Sequence, residues 1–201
     1  MSGPDWLSDF LSAGPDYPAE RRAMAEMQAL LLKAGIGGGL PLGHAQDMAA
    51  LAPLLMSDPQ LLAMATAALE GPHHAVRTEG TAQHLVIEQA RIAMAGPVLV
   101  DALICGADRV VLHDLDWPML LWPVLAHAQK VFGAYFQIDK PGKHTLMITP
   151  SETDRMEPFG PAQPVPLIPL ERLTALAAKT YVPATEASRL SGAGAGLRDN
   201  D

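Results

Sequence analysis

The sequence predicts an α/β fold: a small mixed sheet in the order β-α-β-α-β-β, with a helical N-terminal part and a C-terminal helix plus tail. Three observations predict it. Apolar residues recur at helical spacing through the first third of the chain. Short branched apolar runs, "HLVIE" (84–88) and "DRVVLHD" (108–114), follow residue 76, and "AYFQID" and "HTLMIT" flank the turn signal "KPGK". One domain is expected over residues 1–201, made of a helical part (1–75), an α/β core (76–149), a connector (150–169) and a closing helix with its tail (170–201).

The first strong periodicity spans residues 20–34, where Met24, Met27, Leu30, Leu31 and Ala34 share one helix face and Gly35 stands ready to end it. Four glycines then crowd Gly35–Gly39, an expected loop. Ala45, Met48, Leu51, Ala52 and Leu55 resume the helical pattern. "SDPQLLAMATAALEG" carries Ser57 or Asp58 as N-cap, Pro59 in the first turn and Gly71 past the end. Between the strands, "RIAMAGPVLVDALICG" and "WPMLLWPVLAHAQKVFG" are apolar almost all round, as helices covered on both sides are. Pro97 predicts a break or kink in the first of them, with the true helix starting there. The six prolines between Pro150 and Pro169 predict an extended connector. Leu170, Leu173, Leu176, Ala177 and Tyr181 then line one side of a last helix.

Composition excludes several functions. With 201 residues, 49% apolar and 18% charged, the chain is globular in type, and its formal charge of −8 opposes a nucleic-acid backbone. The N-terminus carries Asp5, Asp9 and Asp16 without a Lys or Arg, unlike a secretory leader, and neither apolar run reaches the roughly 20 residues of a membrane span. A cytoplasmic protein is expected. The lone Cys105 reads as a core thiol, and scattered histidines supply no ligand set of zinc spacing, so no metal is expected.

Two places could hold chemistry. The glycines Gly37, Gly38 and Gly39, with His44 beyond them, would let a ligand approach the backbone at the start of the next helix. No Lys or Arg occurs from Ala34 to Val76, so the countercharge for an anion must come from elsewhere, and Arg189 and Arg198 in the tail could supply it. His113, Asp114 and Asp116 follow a strand, where open α/β sheets bind ligands; the plainer reading makes Asp114 or Asp116 the N-cap of the helix that follows. His73-His74, His84, His127 and His144 read as loop, core or surface residues.

"KAGIGGGLPLGHAQDMAAL" together with "YVPATEASRLSGAGAGLRDND" resembles a bacterial family catalogued as a domain of unknown function. Lys33, Ala34, Gly37 and Gly43 match its N-terminal pattern loosely. Val182, Pro183, Ser188, Arg189, Gly192, Gly194, Gly196, Asp199, Asn200 and Asp201 match its ending closely. The resemblance implies no activity, but it does imply that the tail is not accidental.

Two functional expectations follow. The favoured one is a binder of a small anionic metabolite, or an enzyme acting on one, with its site joining the glycine loop, the strand end at His113 and the tail. The other is a noncatalytic scaffold or accessory subunit working through an apolar interface, with "WPMLLWP" as anchor. Neither names a cofactor. The apolar helices predict a homodimer in either case.

Overall fold

The computed structural model describes residues 3–14, 16–153 and 159–181. The fold is α/β with a small mixed sheet. A short helix α1 (Asp5–Ser12) and a two-residue strand β1 (Ala19–Glu20) open the chain. The helices α2 (Met24–Gly38), α3 (Leu42–Ala50), α4 (Ala52–Leu55) and α5 (Pro59–Glu70) come next. The sheet region runs β2 (Arg77–Gly80), β3 (His84–Glu88), α6 (Ile92–Ile104), β4 (Arg109–His113), α7 (Leu121–Phe132), β5 (Tyr135–Gly142) and β6 (Thr145–Ser151). A second two-residue strand, β7 (Val165–Pro166), leads directly into α8 (Leu167–Ala178).

The five-stranded sheet has the order β2-β3-β4-β6-β5. Only β3 and β4 are parallel, joined by the α6 crossover; every other pairing is antiparallel. Alternation puts Ile87, Val110, Leu112, Ile148 and Phe136 into the core. On the opposite face Val86, Val111 and Met147 lie side by side across three strands, half-buried. One apolar cluster runs from Met27 of α2 through the sheet to Leu176 of α8, and a smaller one joins Leu7 and Phe10 of α1 to Ala63 and Ala67 of α5.

Several elements depart from the sequence expectation. The region of Gly35–Gly39 is not a loop: α2 continues through Gly38 and ends at Gly39, which is left-handed at φ 100°. Leu40 N–H then donates to Gly35 O at 2.9 Å and Gly39 N–H to Ile36 O at 3.0 Å, a Schellman ending with Leu40 buried beneath it. Packing overrides glycine's weak helix propensity here. A Cβ on Gly37 would overlap the Leu176 carbonyl of α8, one on Gly38 the Leu69 carbonyl of α5, and one on Gly35 would lie 2.9 Å from Ala45 Cβ of α3. Glycine is needed because three helices crowd the end of α2.

Pro97 does not break its segment, since α6 is continuous from Ile92 to Ile104 with Pro97 inside it. Burial of one face of this apolar helix, through Ile92, Ala93, Ala95, Gly96, Leu99 and Leu103, outweighs the one missing N–H. The periodic stretch after the glycines is two helices divided at Leu51, and the hairpin turns at Lys143-His144, two residues beyond the expected centre at Pro141-Gly142. Cys105 is exposed at the end of α6, not a core thiol, because the helix stops there and Gly106 leads the chain away at φ 98°.

Three features were not anticipated. Trp6, Leu7, Phe10 and Leu11 form a helix in the N-terminal segment. The polar "RTEG" strand β2 is wholly exposed and pairs only at the sheet edge, where charge is protective. In the connector, Val165–Pro166 pairs antiparallel with Ala19–Glu20 and so ties the start of α8 to the segment that precedes α2.

Candidate functional site

The helices α3, α6 and α7 converge on a cavity of about 220 Å³. Its apolar wall follows helical spacing: Ile92, Gly96 and Val100 recur every four residues along α6, and Val124, Ala128 and Phe132 do the same along α7. Met48 and Leu51 close it from the α3 side. Gly96 contributes space, for a Cβ there would stand 3.5 Å from Val124 Cγ2, and any larger side chain would grow into the cavity. Pro97, on the same wall, has no N–H to satisfy.

Each helix adds one titratable group: Asp47 from α3, Asp101 from α6 and His127 from α7. Burial raises the Asp47 carboxyl above its ordinary value and Asp101 raises it further, while His44 and His127 pull it back. Burial lowers His127, against the opposing charge of Asp47 and with help from Lys130. The histidine is therefore held toward its neutral form, and the two acidic residues that line the cavity with it, Asp47 and Asp101, are both exposed. The lining has no Lys or Arg, and no Ser, Thr or Cys that could act as a nucleophile. An apolar pocket with a few convergent polar groups of perturbed pKa is the usual form of a ligand site.

The residues singled out in the sequence fall elsewhere, with one exception. His44 is half-buried in the first turn of α3, within electrostatic reach of Asp47, so it stands beside this cavity through its own helix and not through the glycines. Gly37 and Gly38 face the backbones of α8 and α5, whereas Gly39 is exposed, with only the His73 ring near it, its Cδ2 4.0 Å from where a Cβ would lie. Arg189 and Arg198, with the rest of the tail, lie outside the described residues.

At the strand end, the three residues do three different things. His113 Nδ1 is 3.1 Å from Thr145 Oγ1 and its Nε2 is 3.9 Å from Glu88 Oε1. Asp114, left-handed at φ 52°, donates its N–H to His144 O at 2.9 Å and its carboxylate faces the His144 ring at 3.8 Å. Asp116 is a cap, as the plainer reading had it, but for an earlier helix. Its Oδ1 accepts the N–H of Ile92, the first residue of α6, at 2.9 Å, and that of Trp117 at 3.0 Å. Burial raises its carboxyl, opposed by these hydrogen bonds and by Arg91, 3.8 Å away.

Asp101 was visible in the sequence as the one polar residue of an apolar helix, and His127 and Asp47 as polar residues of amphipathic ones. The signal that would have found them is that three such interruptions share one space, which no spacing along the chain encodes. No group of three or more metal-ligating side chains occurs among the described residues, and no helix among them is long and apolar enough to cross a membrane. No family model matches the chain, and no curated protein or solved structure matches it.

Proposed function

We propose that this chain is a ligand-binding protein whose α3–α6–α7 cavity takes a small apolar group carrying a positive charge, such as an alkyl- or arylamine. The observation that carries the reading is the lining itself: an apolar wall with two carboxylates, one imidazole held toward neutrality, and no cation. Its volume of about 220 Å³ exceeds the roughly 150 Å³ that suffices for benzene in an apolar cavity. A cation would meet Asp47 and Asp101 at the polar side while its hydrocarbon part lies against Gly96 and Val124. The anionic metabolite expected from the sequence would be repelled here by the same two carboxylates.

Calorimetry with benzylamine, benzyl alcohol and benzoate tests this. The amine should bind best, the alcohol more weakly and benzoate not at all. Asp47→Asn with Asp101→Asn should remove the advantage of the amine while keeping the alcohol, and Gly96→Leu or Val124→Phe should abolish both. Binding of benzoate as tight as that of benzylamine, or no binding by any small apolar amine, would overturn the reading.

Self-association is a second reading, favoured by Met119, Trp122, Val131 and Phe132, all exposed along and just ahead of α7. Trp117, the other tryptophan of "WPMLLWP", is used internally between the two apolar clusters. A homodimer through Trp122 and Phe132 predicts that Trp122→Ser with Phe132→Ser lowers the sedimentation coefficient at micromolar concentration. A wild-type monomer across that range would exclude it.

A further inference from the structure

We infer that residues 135–139, the first half of β5, pair antiparallel with the same residues of a second copy of this chain, centred on Gln137, so that two sheets join into one across a two-fold axis. This contact differs from one through Trp122 and Phe132, because it uses a strand edge and not a helix face.

The order β2-β3-β4-β6-β5 leaves the sheet two edges, and they are built differently. An edge strand presents backbone N–H and C=O groups that a further strand can pair with, and short length, charge, proline or a bulge is what prevents it. β2 has such protection: it is four residues long, wholly exposed, and carries Arg77 and Glu79. β5 is eight residues long and is protected only at its far end, where Lys140, Pro141 and the irregularity between Asp139 and Gly142 lie. Its first five residues, "YFQID", hold one charge and pair regularly with β6 on one side. On the other side no strand pairs with them among the described residues.

The residues of this half fit a copy of themselves. A two-fold axis through a continuous sheet keeps each face on its own side, so residues of one face meet residues of the same face. Centred on Gln137, Phe136 stands opposite Ile138 of the second copy on the core face, and Tyr135 opposite Asp139 on the solvent face. Phe136 is buried and Ile138 half-buried, so apolar side chains meet twice across the axis. No charge meets its like, and the Asp139 carboxylate faces a phenol that can donate to it.

The neighbouring registers are worse. Centring on Asp139 sets two carboxylates against each other, and centring on Ile138 puts Lys140 opposite the buried Phe136 and Pro141 opposite Tyr135. Centring on Phe136 carries Asp139 past the end of the facing strand, opposite Gly133. At the chosen centre the Gln137 amide already rests on the Asp139 carboxylate of its own strand, Nε2 to Oδ1 at 3.0 Å and to Oδ2 at 3.1 Å. The axis itself therefore carries no charge. Phe132, exposed two residues ahead of β5, continues the apolar surface past the end of the pairing.

Disulfide mapping in the full chain, with Cys105→Ser removing the one native thiol, tests the register. Directly opposite residues of paired strands stand about 4.5–5.5 Å apart at Cα, within the reach of a disulfide. Gln137→Cys should therefore give a covalent dimer under a mild oxidant. Asp139→Cys should not, because its copy stands four residues along the strand, about 13 Å away. Tyr135→Cys together with Asp139→Cys should cross-link again. By sedimentation equilibrium, Gln137→Lys, which sets two ammonium groups face to face, should raise the dimer dissociation constant about tenfold or more. Trp122→Ser should leave that constant unchanged. A wild-type monomer across the micromolar range, a cross-link at Asp139 as efficient as at Gln137, or a Gln137→Lys dimer of unchanged affinity would overturn the inference. Dissociation by Trp122→Ser would overturn it in favour of the helix contact.

Discussion

The carboxylate of Asp116 accepts the backbone N–H of Ile92, twenty-four residues earlier in the chain, at 2.9 Å. A residue just past β4 thus caps the crossover helix that precedes β4, and the same carboxylate meets Arg91. Asp116→Ala should therefore destabilise the protein by about 1–3 kcal/mol, the cost of leaving a buried donor without its acceptor. Asp116→Asn keeps an acceptor and should cost less. Urea unfolding of the two variants checks the order, and equal losses would mean that the cap is not what matters at this position.

Glycine is required at one end of α2 and dispensable in the next helix. Gly37→Ala drives a Cβ into the Leu176 carbonyl and should cost about 1–3 kcal/mol by overpacking. Gly43 lies in α3 with nothing within 4 Å of an added Cβ, so Gly43→Ala should stabilise by about 0.4–1 kcal/mol through the unfolded state. Thermal unfolding of the pair decides this; two shifts of the same sign would contradict the packing of α2 against α8.

Acid should act first on the histidines. Burial holds His73 and His127 below their ordinary 6.5, so the unfolded chain takes up protons before the folded one as pH falls. Their contribution to stability is complete above 6.5 and is lost as pH drops through their folded values. Asp47 and Asp116 have the opposite sign. Burial raises both above 3.8, so their contribution is complete below 3.8 and is lost as pH rises through their folded values. The urea midpoint should fall as pH drops below 6.5, and His127→Gln should flatten part of that fall. A slope unchanged in both His127→Gln and His73→Gln would place the titration elsewhere.

Cys105 is exposed at the end of α6. A colorimetric disulfide reagent should label one thiol per chain in the native protein, at a rate that urea raises little. Labelling that waits for unfolding would return this residue to the core.

What the sequence determined by itself is local in origin. The strand His84–Glu88, and α5 with Asp58 accepting Gln60 N–H at 2.8 Å and Pro59 in its first turn, were legible because periodicity and caps are written in neighbouring residues. The mixed sheet followed from the alternation of such segments. Tertiary structure alone decided where α2 ends, since the overlap that forbids a side chain at Gly37 comes from Leu176, far along the chain. It alone decided that Asp116 serves α6, and that the exposed "RTEG" finds a partner in β3. The candidate site belongs to the same class. Asp47, Asp101 and His127 are polar residues of three separate helices, and they acquire a shared environment only when burial of the apolar faces brings α3, α6 and α7 together around one cavity.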